Sequence, residues 1–174
     1  MKLKRKTFGI IIIGNEVLSG KTLDTNSNYL CKELYEIGME CKEVTVIQDV
    51  EGAIIEKVNL FRDKYDFVFT TGGIGPTHDD ITSQSISKAF NDKLVLNKIA
   101  KKRLEKHYSD ETLTSARLKM AYLPSKSIII DNPVSIAPGF SIENVHVFPG
   151  VPKIFQVMLK EFIKKSKEFS CLKN

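Results

Sequence analysis

Cysteine and histidine are both scarce in this chain of 174 residues, with three of each. The cysteines, Cys31, Cys41 and Cys171, are odd in number and lack the spacing of a metal site, so we expect a reduced, cytosolic setting. The histidines are scattered along the chain, which argues against a zinc centre. The sequence also contains neither a serine elbow nor a Cys/His nucleophile pattern.

Long apolar runs are missing as well. The longest, Ile10–Ile13, is far shorter than the ~20 residues of a membrane-spanning helix, and the basic N-terminus is not followed by a signal-peptide core. The net charge of +5 comes from that N-terminal tail and from lysine-rich helix faces near 101–103 and 164–167. Aromatic residues do not interleave with these charges. We therefore expect a cytoplasmic domain that binds neither a membrane nor nucleic acid.

Apolar strand-like runs alternate with helix-like runs through the first half of the chain. The runs that resemble strands are 7–13, 43–47 and 67–71, and those that resemble helices are 29–37, 49–64 and 81–90. This alternation predicts βαβ units in a single α/β domain, 1–174, with a mostly parallel sheet and helices on both faces. Further along, we expect helices at 97–108 and 112–122, a strand at 128–130, a hairpin at 140–148 and a last helix after Pro152.

Residues 66–82 combine a buried strand, a glycine turn and a helix N-terminus. The strand Phe67–Thr71 is followed by three glycines that let the backbone turn and approach a ligand, Gly72, Gly73 and Gly75. Such a junction binds anions, because unpaired N–H groups and the positive helix end point the same way. Asp79 and Asp80 nevertheless lie where the anion would bind.

Two phosphate-binding motifs almost fit. Residues 14–22 resemble a P-loop, but five residues rather than four separate Gly14 from Gly20. Residues 73–78 begin like a dinucleotide fingerprint, but His78 occupies the position of the third glycine, where close packing requires no side chain. We therefore reject both motifs.

Four acidic residues follow the first and third predicted strands. If the strand order is 2-1-3, Glu16 and Asp24 of the first loop face the acidic pair Asp79 and Asp80 across one crevice. One carboxylate about 4 Å from a phosphate opposes it by about 4 kcal/mol, more than the roughly 0.3–2 kcal/mol that a helix terminus contributes. Either a divalent cation bridges the acids and the phosphate, or the acids accept hydrogen bonds from ligand hydroxyl or N–H groups.

Each of these residues also has a purely structural interpretation. Asp79 or Asp80 could cap the following helix, and Asp24 could cap the first helix. His78 is either a proton carrier or phosphate contact, or an exposed loop residue. Lys21 either contacts phosphate or is solvated.

Five motifs resemble, in order, a known family. They are Gly14–Gly20, Asp24–Ser27, Thr70–Thr82, Asn132–Phe140 and Phe148–Pro152. Together they are similar to the molybdopterin-binding (MoaB/Mog-type) domain found at the N-terminus of CinA proteins and of eukaryotic FAD synthases.

The resemblance implies a fold, ligands and an activity. The expected fold is a three-layer αβα sandwich with a mostly parallel sheet, in a homo-oligomer (trimer or dimer). The expected ligand is a pterin or nucleotide phosphate, contacted by Thr71, Gly72, Gly73, Gly75, Thr77, Asn15, Pro138 and Gly139. Glu16, Asp24, Asp79 and Asp80 would hold a divalent cation (Mg²⁺ or Co²⁺, possibly with K⁺), Asp80 and Asp79 being catalytic. The implied activity is a metal-dependent pyrophosphatase on FAD or ADP-ribose; alternatives are adenylyl transfer to molybdopterin and a non-catalytic binding module.

Two departures from the family pattern bear on that activity. The first loop commonly reads Gly-Asp-Glu, and Asn15 replaces the aspartate here, as in the FAD-synthase branch. The chain ends at Asn174 without the amidase domain of CinA or the FAD-synthesising domain. We therefore expect the domain to act alone or through partners.

Overall fold

A computed structural model describes residues 5–109, 112–166 and 169. Cys171 and part of the basic N-terminal tail lie outside these ranges. The helices are α1 (Asn15–Leu18), α2 (Asn26–Glu36), α3 (Glu51–Lys64), α4 (Thr82–Ala89), α5 (Lys98–His107), α6 (Ser115–Leu118) and α7 (Pro152–Lys165). In the part of the chain that is described, no helix is long and apolar enough to cross a membrane.

Of the eight strands within the described residues, six form one sheet in the order β2-β1-β3-β8-β7-β6. The strands are β1 (Thr7–Ile13), β2 (Glu40–Ile47), β3 (Phe67–Thr71), β4 (Leu94–Leu96), β5 (Tyr122–Pro124), β6 (Ile128–Ile130), β7 (Gly139–Ile142) and β8 (Val145–Phe148). The pairs β1/β2, β1/β3 and β3/β8 are parallel, whereas β7 runs antiparallel to both of its neighbours. The strand order 2-1-3, which was assumed for the crevice, is observed, and the predicted mostly parallel sheet and hairpin at 140–148 are confirmed.

Strand β1 lies at the centre of the core, because its alternate side chains pack on opposite faces of the sheet. Ile10 and Ile12 pack with apolar residues of α2 and α7, including Leu34 and Phe155. Ile11 and Ile13 pack on the other face with α3 and α4, through residues that include Ile54, Val58, Phe61 and Ile86. A strand buried on both faces is expected to be apolar throughout. The result is the expected three-layer αβα arrangement.

Two local predictions are wrong. Residues 15–18, predicted as loop, form the single helical turn α1, in which the amides of Val17 and Leu18 donate to the Gly14 carbonyl. The single helix predicted over 112–122 is instead α6 followed by the 3₁₀ turn Lys119–Ala121. The Thr114 hydroxyl accepts from the Arg117 amide and caps α6, so the helix begins later than predicted. The residues after Ala121 form β5, which pairs with β4.

Candidate functional site

The loops after β1, β2 and β3 meet in a crevice at the carboxyl edge of the sheet. Its cavity of about 510 Å³ is lined by Ile13, Asn15, Glu16, Ser19, Lys21, Asp49, Gly73, Thr77, Asp79 and Asp80. The predicted meeting of the first and third loops is therefore confirmed. Four of these side chains are acidic and Lys21 is the one basic residue among them.

The glycine turn after β3 is held against both β1 and α4. Gly72 and Gly73 have φ angles of 102° and 69°, in the left-handed region that favours glycine. A Cβ at Gly72 would collide with the carbonyl oxygen of Ile13, and one at Gly73 would collide with the hydroxyl of Thr82. Glycine is therefore required at both positions by close approach as well as by conformation.

Hydrogen bonds fix the turn from two sides. The Thr82 amide donates to the Gly73 carbonyl at 2.9 Å, and the buried Thr82 hydroxyl donates to the Gly72 carbonyl at 3.1 Å. The Gly72 amide donates to the carbonyl of Phe148, the last residue of β8, at 3.1 Å. This amide already has an acceptor, so the donation from Gly72 to a phosphate that we expected would require that bond to open.

Asp80 closes the loop between the glycine turn and α4. Its Oδ2 accepts from the Thr77 amide at 2.8 Å and from the Thr77 hydroxyl at 2.6 Å. The Lys119 ammonium donates to the Thr77 carbonyl at 2.6 Å and holds the same residue from outside. Helix α4 begins with Ile81 as its N-cap and no side-chain bond there. The capping interpretation is therefore wrong for Asp80.

Asp79 also leaves α4 uncapped and instead reaches into solvent. Its Oδ1 lies 3.0 Å from His78 Nε2, and the two side chains are 75% and 91% exposed respectively. The exposed-loop interpretation of His78 is thus confirmed. Asp79 nevertheless lines the crevice, so its carboxylate is available to a ligand there.

Asp24 caps α2, as its structural interpretation predicted. Its Oδ1 accepts from the amides of Asn26 at 3.0 Å and Ser27 at 3.3 Å, and the Ser27 hydroxyl donates to its Oδ2. Asp24 lines a neighbouring cavity of about 40 Å³, together with Glu16, Thr71 and Gly72. Glu16 borders both cavities, but the structure does not bring Asp24 into the crevice that holds Asp79 and Asp80.

Sequence reasoning missed Asp49 as a member of the crevice. Asp49 Oδ2 accepts from the Asn15 amide at 2.8 Å, and the Asp49 amide donates to Asn15 Oδ1 at 3.4 Å. The helix-like run at 49–64 placed Asp49 at the start of a helix, but α3 begins after Val50 with no side-chain cap. Its place directly after β2, the neighbour of β1, was the signal that could have found it.

Pro138 and Gly139 lie outside the crevice lining. Both are buried at the start of β7, where Gly139 pairs with Ile130. A Cβ at Gly139 would collide with the Val147 carbonyl, so this glycine is required by strand packing. The loop before them is fixed by Asn132, whose side chain bonds Ser135 and the Ala137 carbonyl. The structure thus gives this motif a structural role.

The donor set of the crevice fits a hard cation completed by a ligand. Carboxylates, hydroxyls and an amide oxygen are the oxygen donors that Mg²⁺ takes, and Mg²⁺ is usually held by one or two carboxylates plus substrate phosphates. No preassembled cluster of three or more His, Cys, Asp or Glu side chains that could hold a metal occurs within 5–109, 112–166 and 169. The four acids predicted as metal ligands are therefore not gathered in one centre.

Comparison with known proteins identifies the family. A family model described as "Probable molybdopterin binding domain" matches residues 9–168. A protein from Archaeoglobus fulgidus is 41% identical over 161 residues, which are 90% of this chain and 69% of the relative. A "Putative competence-damage inducible protein" from Clostridium botulinum (strain 657 / Type Ba4) is 38% identical over 87% of this chain and 38% of its own length. The chain thus spans only part of these relatives.

Solved structures agree with this match. The crystal structure of CinA from Thermoplasma acidophilum, described as of unknown function, has a TM-score of 0.86 and 33% identity over 92% of this chain and 97% of its own. MoaB from Pyrococcus furiosus, described as tungsten cofactor synthesizing, has a TM-score of 0.57 at 22% identity over 98% and 97%, which shows a shared fold. The chain belongs to the MoaB/Mog family of molybdopterin-binding domains, in its CinA-type form.

Proposed function

We propose that this domain binds a nucleotide diphosphate, FAD or ADP-ribose, in the crevice and hydrolyses it with the help of a divalent cation. The observation that carries this proposal is that four acidic side chains and Gly73 of the glycine turn line one cavity of about 510 Å³. That volume suits a small-molecule ligand. The expected cation is Mg²⁺ or Co²⁺.

The charges of the crevice explain why a cation is needed. One carboxylate about 4 Å from a phosphate oxygen repels it by roughly 4 kcal/mol, and Lys21 alone does not balance four acids. A bound cation would neutralise this repulsion and polarise a phosphoryl oxygen. Both hydrogen bonds from Thr77 go to Asp80 Oδ2 and fix the side chain. Asp80 Oδ1 takes part in neither bond and would be the oxygen that contacts the ligand.

The residues of the chain would position the reactants. Asp80 and Asp79 would accept hydrogen bonds from a water molecule at the phosphorus. Thr77 and the Gly73–Gly75 backbone would orient the diphosphate. Attack of water on one phosphorus breaks the P–O–P bond, and both products leave as monophosphates: AMP with FMN from FAD, or AMP with ribose 5-phosphate from ADP-ribose.

The Asp80→Asn variant tests this proposal. The asparagine oxygen can still accept both Thr77 bonds, so the loop is retained while the charge is lost. We expect AMP release from FAD or ADP-ribose to fall at least about 100-fold, the scale on which loss of one electrostatic contact to a developing charge acts. The assay uses the purified full chain in potassium buffer with Mg²⁺, Co²⁺ or a chelator, and AMP is quantified by chromatography.

Asp66→Asn is the matched control, because Asp66 precedes β3 at the opposite edge of the sheet and bonds Lys6 and Thr7. It should retain full turnover. Hydrolysis that continues unchanged in chelator, or equal turnover in the Asp80 and Asp66 variants, would refute the proposed function.

The second candidate function is adenylyl transfer to molybdopterin, for which the family match supports the pterin-binding part. It requires ATP and the pterin to bind together, and it yields pyrophosphate rather than two monophosphates. The non-catalytic alternative requires ligand binding without any AMP release. A parallel incubation with ATP and molybdopterin, analysed for pyrophosphate, therefore tests the transferase function, and a binding measurement with FAD or ADP-ribose tests the non-catalytic one. The cytoplasmic location and the homo-oligomer expected from the sequence remain predictions.

A further inference from the structure

A lysine from outside the crevice lining reaches the loop that carries Asp80. The Lys119 ammonium donates to the Thr77 carbonyl at 2.6 Å, although 42 positions separate the two residues in sequence. Lys119 is half-buried and lies in the 3₁₀ turn between α6 and β5. A hydrogen bond from an ammonium to a carbonyl is charge-assisted, and such bonds are stronger than those between neutral groups. This contact therefore holds the loop more firmly than a neutral hydrogen bond would.

The Thr77 carbonyl belongs to a closed ring of hydrogen bonds around Asp80. Asp80 Oδ2 accepts from the amide and the hydroxyl of Thr77, and the Asp80 amide donates back to the Thr77 carbonyl at 3.3 Å. Lys119 thus shares its acceptor with the Asp80 amide. Gly75 packs against the other side of the ring, where an added Cβ would lie 2.8 Å from Asp80 Oδ2. A shift of Thr77 would therefore displace the Asp80 carboxylate.

The 3₁₀ turn that carries Lys119 is anchored by apolar packing. Ala121, its last residue, is fully buried in a small cluster with residues of α5. Leu123 of β5 packs in the cluster that contains the apolar face of α4, the helix that follows Asp80. The turn therefore has a fixed position relative to α4, and the Lys119 side chain spans from it to Thr77.

We propose that Lys119 is a positioning residue for Asp80: it holds the Thr77 carbonyl and thereby keeps the Asp80 carboxylate directed into the crevice. This inference rests on the proposed hydrolysis, in which Asp80 orients the attacking water. Lys119 acts through the Thr77 loop and not through the nucleotide. Its loss should therefore slow the chemical step without weakening nucleotide binding, because a displaced carboxylate no longer holds the water in line.

Lys119→Met tests this role, because methionine keeps an unbranched apolar side chain and lacks the ammonium. In the AMP-release assay with the full chain, we expect kcat to fall about tenfold, the scale of one hydrogen bond to a charged group, and KM to stay unchanged. Lys119→Arg can still donate to the Thr77 carbonyl and should stay close to the parental kcat. Lys101→Met is the matched control, because Lys101 pairs with Glu105 on the surface of α5 and should have no effect.

A double-mutant cycle with Asp80→Asn separates positioning from a general loss of stability. If Lys119 acts through Asp80, Lys119→Met should slow the Asp80→Asn variant far less than it slows the parent. An unchanged kcat in Lys119→Met, equal slowing in the two backgrounds, or failure of Lys119→Arg to keep kcat would each overturn the proposal.

Amide hydrogen exchange tests the positioning independently of activity. If the parent hydrolyses neither FAD nor ADP-ribose, the proposed function fails, and this measurement still decides the role of Lys119. The Thr77 amide is protected by its bond to Asp80 Oδ2. We expect it to exchange about tenfold faster in Lys119→Met, and at the parental rate in Lys119→Arg and Lys101→Met, as measured by NMR. Equal exchange of the Thr77 amide in Lys119→Met and the parent would refute the role of Lys119.

Discussion

Replacing Gly72 by alanine tests how tightly the glycine turn is held against β1. The φ angle of 102° places this residue where an L side chain costs about 1–2 kcal/mol. The new Cβ would collide with the Ile13 carbonyl oxygen and would lie 3.2 Å from its carbonyl carbon, and both are backbone atoms of the central strand. Forced contacts of this kind cost about 1–3 kcal/mol, so we expect the free energy of unfolding to fall by about 2–5 kcal/mol.

Gly20→Ala is the matched control, because Gly20 has a similar left-handed φ of 74° but nothing within 4 Å of a Cβ. It should lose only the conformational part, about 1–2 kcal/mol. Urea unfolding followed by circular dichroism gives both values, with the dependence on urea unchanged because the exposed surface is the same. If Gly72→Ala costs no more than Gly20→Ala, the close approach of the turn to β1 is refuted.

Two further predictions concern pH. The Lys6 ammonium and the donors of Thr7 lower the pKa of Asp66 to about 2, so its stabilisation is complete above about pH 4 and is lost as the pH falls towards 2. Asp66→Asn should flatten the fall in unfolding free energy across that window, and an unchanged slope would contradict this. Burial lowers the pKa of His146 to about 3, so only the unfolded chain takes up its proton below about pH 6.5. His146→Phe should remove up to about 1.4 kcal/mol per pH unit of acid destabilisation, measured by urea titrations from pH 6.5 to 4; equal slopes would refute it.

The sheet could be predicted because its signals are local and strong. Ile10–Ile13 and Phe67–Phe69 are apolar without alternation, which is typical of strands buried on both faces, and helical runs separate them from the next strand. By contrast, α1 has only four residues, too few for any helical period to be seen. Its stability depends on the Gly14 carbonyl, which accepts from Val17 and Leu18.

The site was harder to predict because a carboxylate can accept hydrogen bonds from several nearby N–H groups, and the sequence does not show which of these bonds forms. Asp24 accepts hydrogen bonds from the backbone amides of Asn26 and Ser27, and it lies outside the crevice. Asp49 precedes α3 and could have capped it in the same way, but its side chain instead accepts from the backbone amide of Asn15, in the loop after the neighbouring strand β1. The local spacing favours a helix cap for both Asp24 and Asp49. The position of Asp49 in the crevice follows only from the adjacency of β1 and β2 in the sheet.

The bonds that β8 makes with the loops of the first half have a consequence for the order of folding. Strands β2, β1 and β3 are contiguous in sequence, so this half of the sheet can assemble early, from contacts of short range along the chain. The Gly72 amide, however, donates to the carbonyl of Phe148, the last residue of β8. The Asn26 side chain donates to the carbonyl of Gly150, just after β8. During synthesis from the N-terminus, the glycine turn therefore gains its final hydrogen bonds only after Phe148 and Gly150 have emerged.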